Sequence, residues 1–288
     1  MRVHLNGRLV DESEARVSVF DRGLLFGDGI FETMRAVAGQ VFRIERHLGR
    51  LRQSAARVRL ELPWSGGRLE RSVRDVLRAN GLRDARVRLT VTRGRGLPGN
   101  FLEALGPPTL VIAAFPFDGL DEARFRGGVA AAVSSRQAIP ARALDPAIKS
   151  ISRLSSVLAR QEAHARGAYE AILVDGRGDL TEGAASNLFL VLGGRLVTPP
   201  VPEGGLPGIT REAVIELARS AGIGVEERAL PAARIRAAAE VFLTNTSWEV
   251  LPVTRVDGRP VGDGRPGPVS RELHARYRRL LREECGDA

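Results

Sequence analysis

The chain has 288 residues and a mass of 31.1 kDa, with 43% hydrophobic and 27% charged residues, the profile of a globular protein with room for two domains. Its single cysteine, Cys285, excludes an intrachain disulfide framework and any multi-cysteine metal site. The net charge of +9 invites a nucleic-acid reading, but the 43 basic residues comprise one lysine, Lys149, and 42 arginines, the skew expected of a GC-rich coding bias.

The first eight residues, Met1-Arg2-Val3-His4-Leu5-Asn6-Gly7-Arg8, contain no apolar core of a signal peptide, and no apolar run approaches the length of a membrane span. A cytoplasmic protein is expected. Val3-His4-Leu5 and Arg8-Leu9-Val10 flank Asn6-Gly7, a β-hairpin signal. Residues 20–29 read as a loop, residues 30–37 as an alternating strand, and residues 45–58 as a helix. Leu69, Val73, Val76 and Leu77 mark a second helix that stops at Asn80-Gly81. Val87, Leu89 and Val91 alternate, and residues 110–115 form a buried strand. The polar, turn-rich Asp118-Gly119-Leu120-Asp121 divides the chain. Domains are therefore expected at 1–118 and 128–288, with 119–127 as linker. Beyond it come a strand at 129–133, a Pro-flanked loop at 140–146 and a helix ending near Gly167. Strands follow at 171–174, 188–192 and 195–197, then a helix from Thr210 to Gly222. Strands at 241–243 and 250–253 flank a polar loop, and a basic helix closes the chain. This is a two-domain mixture of α and β.

Lysine can lose its proton and attack a carbonyl, whereas arginine stays protonated. A lone lysine in a chain that accepts arginine everywhere else is thus a candidate for amine chemistry; survival by chance is the plain alternative. Three further segments carry suitable groups. Glu182 lies in Leu180-Thr181-Glu182-Gly183-Ala184-Ala185-Ser186-Asn187, read as a small-residue turn between strands. Leu206-Pro207-Gly208-Ile209-Thr210-Arg211 is a helix start whose free N–H groups suit an anion. Thr244-Asn245-Thr246-Ser247 offers hydroxyl donors between two apolar strands. Each alone is an ordinary turn, cap or loop. Together with Lys149 they supply what pyridoxal phosphate requires: an amine, a carboxylate for the ring nitrogen and donors for the phosphate. Gly262-Asp263-Gly264-Arg265-Pro266-Gly267 matches G-x-G-x-x-G but leaves too little chain for a βαβ unit. His4, His47, His164 and His274 lack metal-ligand spacing and are read as surface or capping residues. Cys285 is read as an idle surface thiol.

Six motifs in order carry a resemblance over nearly the whole chain: Phe26-Gly27-Asp28-Gly29-Ile30-Phe31-Glu32, His47-Leu48-Gly49-Arg50-Leu51, Ile148-Lys149-Ser150, Glu182-Gly183 to Asn187, Pro207-Gly208-Ile209-Thr210-Arg211, and Thr246 to Val253. The sequence resembles the class IV, or fold-type IV, pyridoxal-phosphate family, which includes branched-chain aminotransferase, D-amino acid aminotransferase and aminodeoxychorismate lyase. The resemblance implies an α+β two-domain fold, with a small N-terminal α/β domain and a larger C-terminal, cofactor-binding domain built on a barrel-like β core. It implies that Lys149 forms an aldimine and moves the proton of the substrate Cα. It further implies that Glu182 bonds the pyridine nitrogen, that Arg50, Ile209, Thr210 and Thr246 take the phosphate, and that Asn187 belongs to the cofactor site. Substrate would meet Phe31, Thr246, Ser247 and residues 93–100 between two domains of a homodimer, with Arg88 and Arg95 as candidate partners for a second carboxylate.

The subgroup stays open at this point. Branched-chain enzymes carry a tyrosine five residues after the lysine, where this chain has Leu154. The Arg-x-His pair of the D-amino acid group is absent after Thr92-Arg93-Gly94, and Phe31 replaces that group's tyrosine. Glu249 and residues 256–267 look more like the aminotransferases than the lyase. Transamination between an amino acid and a 2-keto acid is expected, with no metal, membrane or nucleic-acid partner. The alternatives are aminodeoxychorismate lyase and, from another class, a basic nucleic-acid-binding protein.

Overall fold

The structure is a computed structural model and describes residues 1–100, 103–201 and 204–286. Its contacts divide the chain into two compact units. The first comprises Met1–Asp118, Ile148–Ser152 and the chain from Leu281; the second comprises Gly119–Ala147 and Arg153–Leu280.

In the first unit, β1 (Arg2–Leu5) and β2 (Arg8–Asp11) form the expected hairpin. Asn6 and Gly7 turn it with φ of 49° and 95°, the left-handed pair that a two-residue hairpin needs. Residues 20–29, read as loop, contain one helical turn, α1 (Arg22–Phe26), capped by the Asp21 carboxylate on the Gly23 amide. Then come β3 (Gly29–Val37), β4 (Gln40–Val41), α2 (Ile44–Arg57), α3 (Gly66–Ala79), β5 (Ala85–Thr92) and β6 (Thr109–Pro116). The strands make one antiparallel sheet in the order β2-β1-β6-β5-β3-β4. Alternation decides its faces. Ile30, Met34, Val87, Leu89, Val91, Leu110 and Ile112 form a buried layer with Leu48 and Leu51 of α2 and with Leu69, Val73 and Val76 of α3. The intervening positions put Phe31, Thr33 and Arg35 of β3 beside Thr90, Arg88 and Arg86 of β5 on the opposite face.

The second unit contains α4 (Glu122–Gly127), β7 (Val129–Gln137), α5 (Leu154–Ala165), β8 (Glu170–Val174), β9 (Leu180–Gly183), β10 (Asn187–Leu192), β11 (Arg195–Thr198), α6 (Ile209–Ser220), β12 (Val225–Glu227), β13 (Glu240–Asn245), β14 (Glu249–Val256), β15 (Arg259–Pro260) and α7 (Pro268–Cys285), the last turn of which belongs to the first unit. Nine strands form one sheet in the order β12-β11-β10-β13-β14-β7-β8-β9, with β15 beside β14. β10 is buried along its whole length, as a strand covered on both faces should be. Laid flat, the five steps from β10 to β9 would separate them by about 24 Å at normal strand spacing. Only residues 184–186 join them, a link that reaches about 14 Å when fully extended. The sheet must therefore curl, and this is the barrel-like core that the resemblance implied. Phe125, Leu188, Leu190, Val241, Leu243 and Leu251 fill one side of it, while Ala159 and Ala163 of α5 pack against Ala132, Ala171 and Leu173 on the other.

Candidate active site

The first unit builds its polar centre from one helix face and one strand. His47, Arg50 and Ser54 lie three and four positions apart on α2, on the side turned to β3. Glu32 of β3 is fully buried. Its carboxylate accepts a two-point fork from Arg50, Nε to Oε1 at 2.8 Å and Nη2 to Oε2 at 2.7 Å, and Nδ1 of His47 lies 2.7 Å from Oε2. An ionised carboxylate only accepts, so Nδ1 carries the hydrogen. Burial pushes the Glu32 carboxyl up, but Arg50 and His47 outweigh it and hold it at about 2. Burial holds His47 below its ordinary 6.5, against the pull of Glu32, which leaves its ring neutral near pH 7.

Removing Glu32 takes a two-point contact from a buried guanidinium, and removing one partner of a buried ion pair typically costs about 3–5 kcal/mol. Glu32→Ala should lower unfolding stability by that order in urea titrations; a loss below about 1 kcal/mol would show that the buried Glu32–Arg50 pair contributes little to the fold. The sign of the acid response follows from the lowered pKa. Glu32 contributes stability above its unfolded value near 4.5, and that contribution drains away as pH falls toward about 2. Glu32→Gln should flatten the stability curve in this window.

The same strand and helix fix the main chain at Lys149. The Phe31 amide donates to the Lys149 carbonyl at 2.9 Å, and the Lys149 amide donates to Ser54 Oγ at 3.1 Å. Ser150 bridges Ile30, and the Ile151 amide donates to the Gly29 carbonyl at 3.0 Å. The Lys149 Nζ lies 4.8 Å from the centroid of the Phe31 ring, and the Arg88 guanidinium lies 3.4 Å from the same centroid. Arg95, by contrast, is exposed on the loop at residues 93–100. That loop is anchored through Arg93, whose Nε donates to Asp28 at 2.8 Å.

In the second unit Glu182 sits inside β9, so the expected turn begins two residues later. A strand position fixes its direction more firmly than a turn would. Its Oε2 accepts from the Leu206 amide at 2.8 Å. Asn187 opens β10 and donates from Nδ2 to the Leu206 carbonyl at 2.9 Å. Both side chains thus brace the segment that leads into α6. A Cβ on Gly208 would meet Asn187 Oδ1 at 2.0 Å, so a larger residue here would push the Asn187 side chain from its place. Gly208 caps α6 without a side-chain acceptor, so the first amides of the helix, at Ile209 and Thr210, have no side-chain cap, an arrangement that suits an anion. Thr244 is the cross-strand partner of Asn187, on the same face, and its buried Oγ1 has no hydrogen-bond partner among the described residues. The loop between β13 and β14 is a tight turn in which Asn245 Oδ1 accepts the Ser247 amide at 2.8 Å and the Trp248 amide at 2.7 Å. The Ser247 amide is therefore already engaged within the loop, whereas Thr246 is half-buried beside it.

Several expectations need correction. His47 is not a surface residue but part of the buried Glu32 cluster. His274 is bonded to Glu249 at 2.8 Å and stacked on Phe125, and His4 is buried. Cys285 is buried rather than an idle surface thiol. Glu32 and Ser54 escaped a functional reading from sequence. The acidic end of the Phe26 to Glu32 motif was the available signal for the first, and nothing in the sequence marks the second.

Each unit carries groups of the kinds that pyridoxal phosphate requires. The first unit offers an amine with a fixed main chain and a buried guanidinium. The second offers a carboxylate on a rigid strand, an uncapped helix start that glycine opens, and an unsatisfied buried hydroxyl. Among the described residues no cluster of ligands that could hold a metal ion occurs. Fold and donor set together are those of a fold-type IV pyridoxal-phosphate enzyme. The sequence matches the family described as amino-transferase class IV over residues 29–256, and the chain belongs to that family; its reaction is transamination, and its cofactor is pyridoxal phosphate. It is 41% identical over 278 residues to a putative branched-chain-amino-acid aminotransferase of Methanocaldococcus jannaschii, covering 96% of each chain. It is 34% identical over 284 residues to a D-alanine aminotransferase of Bacillus licheniformis, covering 99% of this chain and 98% of that one. Its fold superposes on the crystal structure of the Escherichia coli branched-chain amino acid aminotransferase with a TM-score of 0.94 at 36% identity, over 98% of this chain and 95% of that chain. The branched-chain aminotransferase of the thermophilic archaeon Thermoproteus uzoniensis, solved with norvaline, gives 0.90 at 36% identity over 98% and 95%. Neither the lyase nor the nucleic-acid reading is favoured by these relatives.

Proposed function

We propose that the chain transfers the amino group of a hydrophobic amino acid to a 2-keto acid, with glutamate and 2-oxoglutarate as a shared donor pair. Pyridoxal phosphate, when bound, supplies an aldehyde carbon that condenses with amines and a ring that accepts electrons. Lys149 would hold the cofactor through Nζ, and the same amine, when free, would take up and return the proton of the substrate Cα. Glu182 would hold a proton on the pyridine nitrogen, since a carboxylate beside that atom favours the charged ring. Arg50, the Ile209 and Thr210 amides and Thr246 take the phosphate, and Asn187 supports them by holding the segment before α6. Thr246 and the Ser247 hydroxyl receive the substrate α-carboxylate.

The observation that carries the substrate reading is the meeting of Phe31, Arg88 and Lys149 around one aromatic ring. Phe31 gives an apolar wall without a hydroxyl, suited to a branched side chain. Arg88 offers a fork for a distal carboxylate, and it is favoured over the exposed Arg95. Arg88→Ala should raise KM for glutamate and 2-oxoglutarate by about ten- to hundredfold, the worth of one charged hydrogen bond, with KM for a branched L-amino acid unchanged. Equal losses for both substrates would remove Arg88 from specificity. Single amino acids added one at a time test the rest: branched L-amino acids and glutamate should discharge the visible band of the cofactor, and D-alanine should not. Discharge by D-alanine alone would replace this reading with that of a D-amino acid enzyme.

The working form is proposed to be a cytoplasmic C₂ homodimer, the commonest closed assembly. Val19, Phe20 and Leu24 are exposed, and the Gly96 amide on the Phe20 carbonyl brings exposed Leu97 beside them. Such an apolar patch suits a subunit contact. Sedimentation should give twice the chain mass at micromolar concentration; a fully active monomer would refute the dimer.

A further inference from the structure

One hydrogen bond in the first unit has no part in the roles assigned above. Ser54 is fully buried on α2, and its Oγ accepts the main-chain N–H of Lys149 at 3.1 Å. Ser54 follows Arg50 by four residues, so the two side chains project from the same helix face, one turn apart. Arg50 is held in place on that face by the two-point contact with Glu32, and Glu32 is steadied in turn by His47. The Lys149 carbonyl is tied separately to the Phe31 amide, one residue from Glu32. The peptide of Lys149 is thus clamped on both sides, by β3 through its carbonyl and by α2 through its amide.

We propose that Ser54 is a positioning residue that sets the Lys149 amine in register with the Arg50 guanidinium, α2 acting as the fixed spacer between them. The inference rests on the reading of Lys149 as the amine and Arg50 as a phosphate ligand. If Arg50 holds the cofactor at its phosphate, the Lys149 amine would have to stand at a matching distance from that guanidinium. Loss of the Ser54 hydroxyl leaves the phosphate contacts intact but frees the main chain that carries Nζ. Its signature is a slower encounter of amine and carbonyl at unchanged phosphate affinity. A merely structural serine would lower stability without that separation.

The test uses full-length enzyme stripped of cofactor and compares wild type, Ser54→Ala and Ala55→Gly. The last variant weakens the same helix and removes no hydrogen bond to Lys149. Three quantities are read: competition by inorganic phosphate for the cofactor site, the rate at which the visible band develops after pyridoxal phosphate is added, and the thermal midpoint. For Ser54→Ala the phosphate constant should stay within about twofold, while band development and the single-turnover rate fall by about ten- to hundredfold, the penalty of a small misplacement. Ala55→Gly should lower the midpoint and leave both rates near wild type. Ser54→Cys, whose thiol is a weaker acceptor of similar size, should lie between serine and alanine, and it serves in place of Ser54→Ala if that variant does not fold. Wild-type rates in Ser54→Ala, or rates that track the midpoint equally in Ser54→Ala and Ala55→Gly, overturn the proposal. Failure of the wild-type enzyme itself to develop a visible band would instead overturn the reading of Lys149.

Discussion

Lys149→Arg is expected to be colourless and without measurable turnover. The substitution retains the positive charge in a side chain only about one atom longer, so folding and the main-chain clamp between Phe31 and Ser54 should survive. The guanidinium cannot shed its proton to become a nucleophile. No other lysine exists in the chain to take over. Loss of the proton-transfer group alone is worth roughly two to four powers of ten, and loss of the covalent attachment adds to it. The measurement is visible absorbance and steady-state rate on protein whose circular dichroism matches wild type. A coloured, active Lys149→Arg enzyme would contradict the assignment outright.

Glu182→Gln should bind the cofactor and yet transfer amino groups about a hundred- to ten-thousandfold more slowly. The amide can occupy the space of the carboxylate and can still accept from the Leu206 amide, so the segment before α6 keeps its support. What it cannot do is hold a proton on the pyridine nitrogen, and an unprotonated ring is a poorer acceptor of the electrons released at the substrate Cα. The loss should therefore fall on kcat, with cofactor affinity near wild type, and exchange of the substrate Cα hydrogen should slow in parallel. A wild-type exchange rate in Glu182→Gln would exclude the residue from the chemistry. A large fall in cofactor affinity alone would recast it as a brace for Leu206.

The elements that chemistry punctuates sharply were legible from sequence. Asn6-Gly7 announces its hairpin because only a left-handed pair turns two strands so tightly. The apolar spacing on α2 and α3 identifies the buried faces. Lys149 stands out because the composition removed its competitors. The rest depends on distant pairing, which a linear pattern does not carry. Nothing along the chain marks the return of Ile148–Ser152 to the first unit, since a five-residue segment gains its place through β3 and α2 rather than through its own periodicity. His47 reads as a surface histidine until Glu32, fifteen residues earlier, is brought against it. Glu182 reads as a turn residue because small neighbours obscure the strand; pairing of β9 with β8 is what makes it one. The curl of the second sheet likewise follows from strand order, not from any local signal.

The central claim, that Lys149 is the amine through which this aminotransferase works, has one direct test. Enzyme saturated with pyridoxal phosphate is reduced with borohydride, digested and mapped by mass spectrometry. With one lysine and the N-terminal amine as the only candidates, the outcome is unambiguous. The account predicts the reduced cofactor on the peptide that contains Lys149, with the modified enzyme inactive. Label on the N-terminal amine alone, or full activity after stoichiometric labelling of Lys149, would contradict it.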